Sequence, residues 1–292
     1  MPWLQLELEA SPELADLYSD YLTEAGASAV TFQDAADQPL FEPPVGETPL
    51  WHAIRVTGLF DTNTNINKVI KFIKTQSGCA QQLNWHLNPL EDRDWTRAWM
   101  DNFKPMKFGK QLWICPGEYS PPQPEAINLI LDPGLAFGTG THPTTAMCLT
   151  WLANHPPHHI DVVDYGCGSG VLAIAACLLG ANLCLAIDND PQALTATHDN
   201  AVKNSVTKKV EVYLPGQILI KPVPLVIANI LAGPLIELEP KFADLVLPGG
   251  GIVLSGILVE QADSILEAYT KHFDVKIHDQ MEEWICITGE KR

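Results

Sequence analysis

The sequence is short of positive charge: 18 Lys and Arg stand against 35 Asp and Glu over 292 residues, a net of −17 at pH 7. Proteins that hold nucleic acid by its backbone neutralise phosphates with Lys and Arg, so stable nucleic-acid binding is not expected and a basic protein is the better partner. Cys-x-x-Cys pairs are also missing. The seven cysteines (Cys79, Cys115, Cys148, Cys167, Cys177, Cys184, Cys286) are odd in number and read as buried free thiols in a reducing compartment. His155, His158 and His159 surround a Pro-Pro turn, but no second ligand cluster with zinc-type spacing accompanies them, and no metal site is expected. There is no unbroken membrane-length apolar run. The longest candidate, Val171 to Ile187, is interrupted by Gly180 and Asn182 and reads as a buried helix, a turn and a buried strand. The opening Met1-Pro2-Trp3-Leu4-Gln5-Leu6-Glu7 lacks the basic start of a secretory signal, so a mature, cytoplasmic, monomeric protein is expected.

What is present is enough apolar material, 46% of residues, for real cores in two domains. Leu4, Leu6 and Leu8 alternate with polar residues as a half-buried strand, and Ser11-Pro12 then opens a helix with Leu14, Leu17, Tyr18 and Tyr21 inward. Strands follow at 29–32 and 52–60, a helix at Ile66, Val69, Ile70 and Ile73, and a last strand at Leu83, Trp85 and Leu87. The order strand-helix-strand-strand-helix-strand is that of a small α+β ferredoxin-like domain, placed at residues 1–92. That scaffold also serves RNA recognition, but the strand from Trp51 to Phe60 lacks the basic-Gly-aromatic pattern that stacks bases. The same 92 residues carry four Lys/Arg and thirteen Asp/Glu, a net of −9, which fits steering of a cationic protein substrate as well as plain solubility. Residues 93–110, with Trp95 and Trp99 one helical turn apart and five basic residues, read as a linker helix.

From 111 to 292 short β-rich runs at 160–164, 183–188, 210–213, 225–229 and 251–255 alternate, for the most part, with helical stretches. This pattern calls for a doubly wound, mostly parallel α/β sheet with its ligand at the carboxyl ends of the strands. A helix at 261–272 and an antiparallel hairpin at 274–278 and 283–288 close the chain.

The strongest local signal is Asp161-Val162-Val163-Asp164-Tyr165-Gly166-Cys167-Gly168-Ser169-Gly170-Val171, a strand, a glycine loop and a helix start. Glycine is needed where the backbone takes positive φ or a cofactor meets the main chain without a Cβ. The dinucleotide fingerprint would require glycine at position 171, which is Val171, so a dinucleotide site is disfavoured. Asp188 ends the next strand 22 residues past Gly166, a spacing suited to a carboxylate accepting from ribose hydroxyls; the alternative is a turn residue capping the helix at Pro191.

Here the chain resembles the class I S-adenosylmethionine-dependent methyltransferases, whose first strand and loop read Asp-x-Gly-x-Gly-x-Gly and whose second strand ends in an acid; the likeness covers residues 125–292. Two further segments, Asp132-Pro133-Gly134-Leu135-Ala136-Phe137-Gly138-Thr139-Gly140-Thr141-His142-Pro143-Thr144-Thr145 and Ile227-Ala228-Asn229-Ile230-Leu231-Ala232-Gly233-Pro234, resemble the bacterial ribosomal protein methyltransferases that modify the large-subunit stalk-base protein, ribosomal protein eleven. The resemblance then extends over essentially the whole chain. It implies methylation of lysine and N-terminal α-amino groups, and S-adenosyl-L-methionine contact by Thr145, Gly166, Asp188 and Asn229, with Gly168 and Gly170 of the loop beside them.

Methyl transfer to an amine is an in-line displacement that needs no metal and no covalent intermediate. A lysine of pKa about 10.4 must first lose a proton, so the protein's contribution is alignment and acceptors for a neutral amine. Asn229 is the candidate catalytic acceptor. Many amino methyltransferases carry Asn-Pro-Pro-aromatic at this point, whereas this chain has Asn-Ile-Leu-Ala, which leaves a strand-end cap as the alternative role for Asn229. His142 reads as loop packing rather than a general base, and Gly134, Gly138 and Gly140 fit either a closing lid or a static turn.

Overall fold

The computed structural model describes residues 3–36, 38, 49–77, 83–90, 104–117, 119–131, 140 and 142–292. The chain divides into two compact units, Met1–Ala98 and Trp99–Arg292. In the first, β1 (Trp3–Ala10), α1 (Pro12–Glu24), β2 (Ala29–Asp34), β3 (Ile54–Asp61), α2 (Ile66–Gln76) and β4 (Trp85–Leu90) follow in that order. The four strands form one antiparallel sheet, β2-β3-β1-β4. Leu6 and Leu8 of β1, Ile54, Val56 and Phe60 of β3, Ala15, Tyr18 and Leu22 of α1, and Ile66, Val69, Ile70 and Ile73 of α2 share one core.

One local expectation shifts, and the fourth strand lies at an edge. Leu17 points outward at 37% exposure, because the buried stripe of α1 runs through Ala15, Tyr18 and Leu22 at helical spacing and leaves position 17 off to the side. Trp85 and Leu87 of β4 lie across from Leu8 and Leu6 and are 37% and 38% exposed; among the described residues β4 is an edge strand with a neighbour on one flank.

The second unit opens with a small sheet that periodicity did not announce: β5 (Met106–Phe108) antiparallel to β6 (Leu112–Cys115), with β7 (Ile127–Ile130) parallel to β6. The helix expected over 93–110 is therefore corrected at its end, where residues 106–108 are strand. Pro105 disfavours helix at the residue before it, and Gly109, at φ +55°, turns the chain into β6. Trp95 and Trp99 lie outside the described residues.

The main sheet follows. Its elements are α3 (Pro143–Asn154), β8 (Asp161–Tyr165), α4 (Val171–Leu178), β9 (Leu183–Ile187), α5 (Pro191–Lys203), β10 (Val210–Tyr213), β11 (Val223–Asn229), α6 (Ala232–Leu245), β12 (Val246–Leu258), α7 (Ala262–Tyr269), β13 (Phe273–Met281) and β14 (Trp284–Lys291). The strand order is β10-β9-β8-β11-β12-β14-β13, with β14 alone running against the rest. Successive residues of one strand serve opposite cores: Val162 packs with α3 and α4, and Val163 with α6 and α7. That two-sided burial explains why these strands read as unbroken apolar runs rather than alternating ones. Cys115, Cys148, Cys167, Cys177, Cys184 and Cys286 are free and buried. Among the described residues no helix is long and apolar enough to cross a membrane.

Gly256, at φ +84°, sits where the β12–β14 register slips between Leu254 and Ile257, and a Cβ there would run into the backbone of Ile230. Gly249 has a similar φ of +74° but open space around it. Gly249→Ala is expected to cost about 1–2 kcal/mol, the conformational penalty alone, and Gly256→Ala roughly 2–5 kcal/mol once overpacking is added. Denaturant unfolding of the two variants checks the difference.

Candidate active site

The glycine loop leaves β8 at the carboxyl edge of the sheet. Gly166, Gly168 and Gly170 hold φ of +81°, +54° and +78°, values that a side chain would strain. The N–H groups of Gly166 and Cys167 both donate to the Ile187 carbonyl, at 2.7 and 3.1 Å, tying the loop to the end of β9. A Cβ at Gly166 would collide with the side chain of Ile230, so the loop lies directly against the residue that follows β11.

Asp188 follows β9 directly. Its Oδ2 accepts from the Gly168 N–H at 2.9 Å and its Oδ1 from the Asp190 N–H at 3.0 Å. An ionised carboxylate offers about four acceptor positions, so one on each oxygen is left for a ligand's hydroxyls. The helix cap is a different residue: Asp190 accepts from Gln192 N–H at 2.8 Å and starts α5.

Asn229 ends β11. Its amide Nδ2 donates to the hydroxyl of Thr145 at 3.1 Å, and Thr145, in the first turn of α3, is fully buried. With its nitrogen engaged, the amide presents its oxygen as the acceptor. His142 caps α3, its Nδ1 within 2.8 Å of the Thr144 hydroxyl and accepting from the Thr144 N–H at 3.4 Å, with the ring edge-on to Trp284 at 5.0 Å. Burial lowers its pKa, opposed by the charge of Glu282. A group so placed serves as a cap.

Thr145, Gly166, Gly168, Asp188 and Asn229 thus come together on one cleft of about 220 Å³, joined by Cys167, Val171, Leu172, Asn189 and Ile230. Gly170 is not on that lining. The space a Cβ would take at Gly170 is filled by Thr197, 2.7 Å away, so this glycine lets α5 approach the loop. Ile230 and Gly256 shape the site and were missed; an isolated glycine inside a strand pattern, at position 256, was the available signal for a bulge or close backbone approach. Residues 132–139 and Thr141, including Gly134 and Gly138, which fit either a closing lid or a static turn, lie outside the described residues. Burial pushes the Cys167 thiol well up, which removes it as a thiolate nucleophile.

A parallel sheet with a glycine loop after its first strand, a carboxylate after the second and an amide after the fourth, all facing one cleft, defines an α/β methyltransferase framework. The model of the family "Ribosomal protein L11 methyltransferase (PrmA)" matches residues 2–292, and the chain belongs to that family. It is 51% identical to the ribosomal protein L11 methyltransferase of Sodalis glossinidius (strain morsitans), with 100% of both chains covered. Against the protein of that name from Pseudomonas paraeruginosa (strain DSM 24068 / PA7) it is 49% identical over 100% of this chain and 99% of the other. Among solved structures, a ribosomal protein L11 methylase from Lactobacillus delbrueckii subsp. bulgaricus matches with a TM-score of 0.60 at 30% identity, covering 65% of this chain and 100% of that one.

Beneath the cleft, Asp164 of β8 is fully buried. Its Oδ2 accepts from the Ala173 N–H at 2.9 Å and its Oδ1 has no partner among the described residues. Burial raises its pKa from 3.8 to about 7; the Ala173 bond opposes this and the charge of Asp188 adds to it. A carboxyl raised in the folded state contributes stability that is fully present below its unfolded pKa and is lost as pH rises toward 7. Wild-type protein should therefore lose up to about 1.4 kcal/mol per pH unit between pH 5.5 and 6.5 from this residue, and Asp164→Asn should remove that slope. Chemical denaturation across the pH range reads it directly.

Proposed function

We propose that the chain transfers methyl groups from S-adenosyl-L-methionine to lysine and N-terminal α-amino groups of ribosomal protein L11, acting in the cytoplasm. The donor fits the residues present. Asp188 keeps an acceptor position on each oxygen for the ribose hydroxyls, while Val171, Leu172 and Ile230 give the cleft an apolar lining. Gly166 and Gly168 let the main chain come close without a Cβ. When bound, S-adenosylmethionine supplies a methyl group activated by its sulfonium.

The observation that carries the reading is the hydrogen bond between Asn229 and Thr145, two residues of the cleft lining. It fixes the amide plane and leaves the Asn229 oxygen to accept from an incoming neutral amine, directing the nitrogen lone pair away from Asn229. Thr145 acts through Asn229, and buried as it is it cannot swing aside. Neither group has to gain or lose a proton. Alignment is what the site contributes, and the amine's proton is lost to solvent before transfer.

The first unit is the substrate-recognition domain in this reading. Its antiparallel order β2-β3-β1-β4, with both helices feeding one core, supports a ferredoxin-like domain, and the net charge of −9 over residues 1–92 suits a basic protein partner. The division placed at 1–92, 93–110 and 111–292 lies near the boundary between the compact units.

Incubation of the protein with methyl-labelled cofactor and ribosomal protein L11, followed by mass spectrometry, should place label on amino groups of that protein; label confined to RNA would overturn the assignment. Two variants separate the roles of the site. Asp188→Ala should weaken cofactor binding by about 1–3 kcal/mol in calorimetry. Asn229→Ala should lower turnover about tenfold even at saturating cofactor, the loss of one aligned hydrogen bond in the transition state. Activity fully restored by more cofactor would remove Asn229 from the substrate side.

A further inference from the structure

Helix α5 turns three polar side chains toward the protein interior at i, i+3 and i+7: Thr197, Asn200 and its C-cap residue Asn204. Polar groups in such positions destabilise unless each is partnered, so their partners show what the stripe is for. Thr197 is fully buried, and its hydroxyl donates to the Gly168 carbonyl at 3.0 Å. Asn200 is 5% exposed, and its amide donates to the Ser169 carbonyl at 2.9 Å. Asn204 clips the end of β7, accepting from the Ile130 N–H and donating to the Ile130 carbonyl, both at 2.7 Å, while it also donates to the Asn200 carbonyl at 2.8 Å.

Taken with the bond from the Gly168 N–H to Asp188, these contacts fall on consecutive peptide planes. The plane between residues 167 and 168 is set by Asp188, the next by Thr197 and the one after by Asn200. A loop with glycine at positions 166, 168 and 170 has more backbone freedom to lose than any other kind of segment, roughly 1–2 kcal/mol for each residue fixed. Anchoring that loop before a ligand arrives moves the ordering cost out of the binding step.

We infer that Thr197 and Asn200 are positioning residues for the cofactor, holding the glycine loop from behind in its ligand-ready shape. The inference rests on the cleft being the S-adenosylmethionine site. Neither side chain is on the cleft lining, so both act only through the loop. Asn204 locks α5 to β7 and keeps the two struts in register with the loop. Because the struts shape the loop rather than touch the reacting atoms, their loss belongs in cofactor affinity and not in turnover.

The test uses full-length protein. Thr197→Val keeps the shape and removes the hydroxyl, and Thr197→Ser returns the hydroxyl without the methyl. In calorimetry with S-adenosylmethionine, Thr197→Val should raise Kd roughly tenfold, the worth of one buried hydrogen bond, and Thr197→Ser should recover most of it. Turnover at saturating cofactor should stay within about twofold of wild type for both. If Thr197→Val does not fold, Asn200→Ser, which removes the strut one peptide further on, is read the same way and should raise Kd by a similar factor. A folded Thr197→Val with wild-type affinity, or a Thr197→Ser no better than valine, overturns the inference while leaving the cofactor assignment intact. Wild-type protein that fails to bind S-adenosylmethionine overturns the cofactor assignment, and the inference with it.

Discussion

Three strand ends meet at Ile230 with no room for another Cβ. Its side chain fills the space in front of Gly166, and its backbone fills the space in front of Gly256, so β8, β11 and β12 close on this one residue from both sides. The candidate site is arranged around that junction. Asn229 is the residue immediately before it, the glycine loop is the segment pressed on it, and Asp188 follows the strand whose last carbonyl holds that loop. A site assembled from strand termini has little rigidity of its own, and steric exclusion by the side chain and backbone of Ile230 supplies it here.

The other source of rigidity is buried polarity. Thr145, Asp164, Thr197 and Asn200 are all out of water, and each spends a hydrogen bond on a neighbour that matters to the cleft: Asn229, the first turn of α4, Gly168 and Ser169. The partial exception is Asp164, whose second oxygen has no partner among the described residues and whose pKa is raised by burial. That carboxyl makes the stability of the framework depend on pH, while the cleft above it works through alignment.

What could be read in the sequence was what local backbone needs write there. The loop glycines meet a conformational need at their own positions, the acid 22 residues on follows from spacing, and the two-sided burial of the sheet wrote its apolar runs, whereas Asn229 came into view only through the family resemblance of its segment. The struts on α5 were silent because Thr197 and Asn200 meet carbonyls 29 and 31 residues away, and a Thr or Asn inside a helix looks like any surface residue until its partner is known. The small sheet was missed for a similar reason. Strands of three or four residues carry too little period to detect, and β6 and β7 pair in parallel across a long loop. Position 17 was misjudged because apolar identity was given more weight than the exact angle of the helix stripe.

The strand that completes the main sheet is drawn from residues 284–291, and it sits between β12 and β13 rather than at an edge. Five of its residues, Trp284 to Thr288, are buried, and the hydroxyl of Ser255 in β12 donates to the carbonyl of Ile285. β12 and β13, whose chains run the same way, are therefore joined through β14, which lies against both of them. Take that strand away and both would show an unpaired edge, so the pairing of residues 284–291 is what shields the two inner edges of this part of the sheet from association.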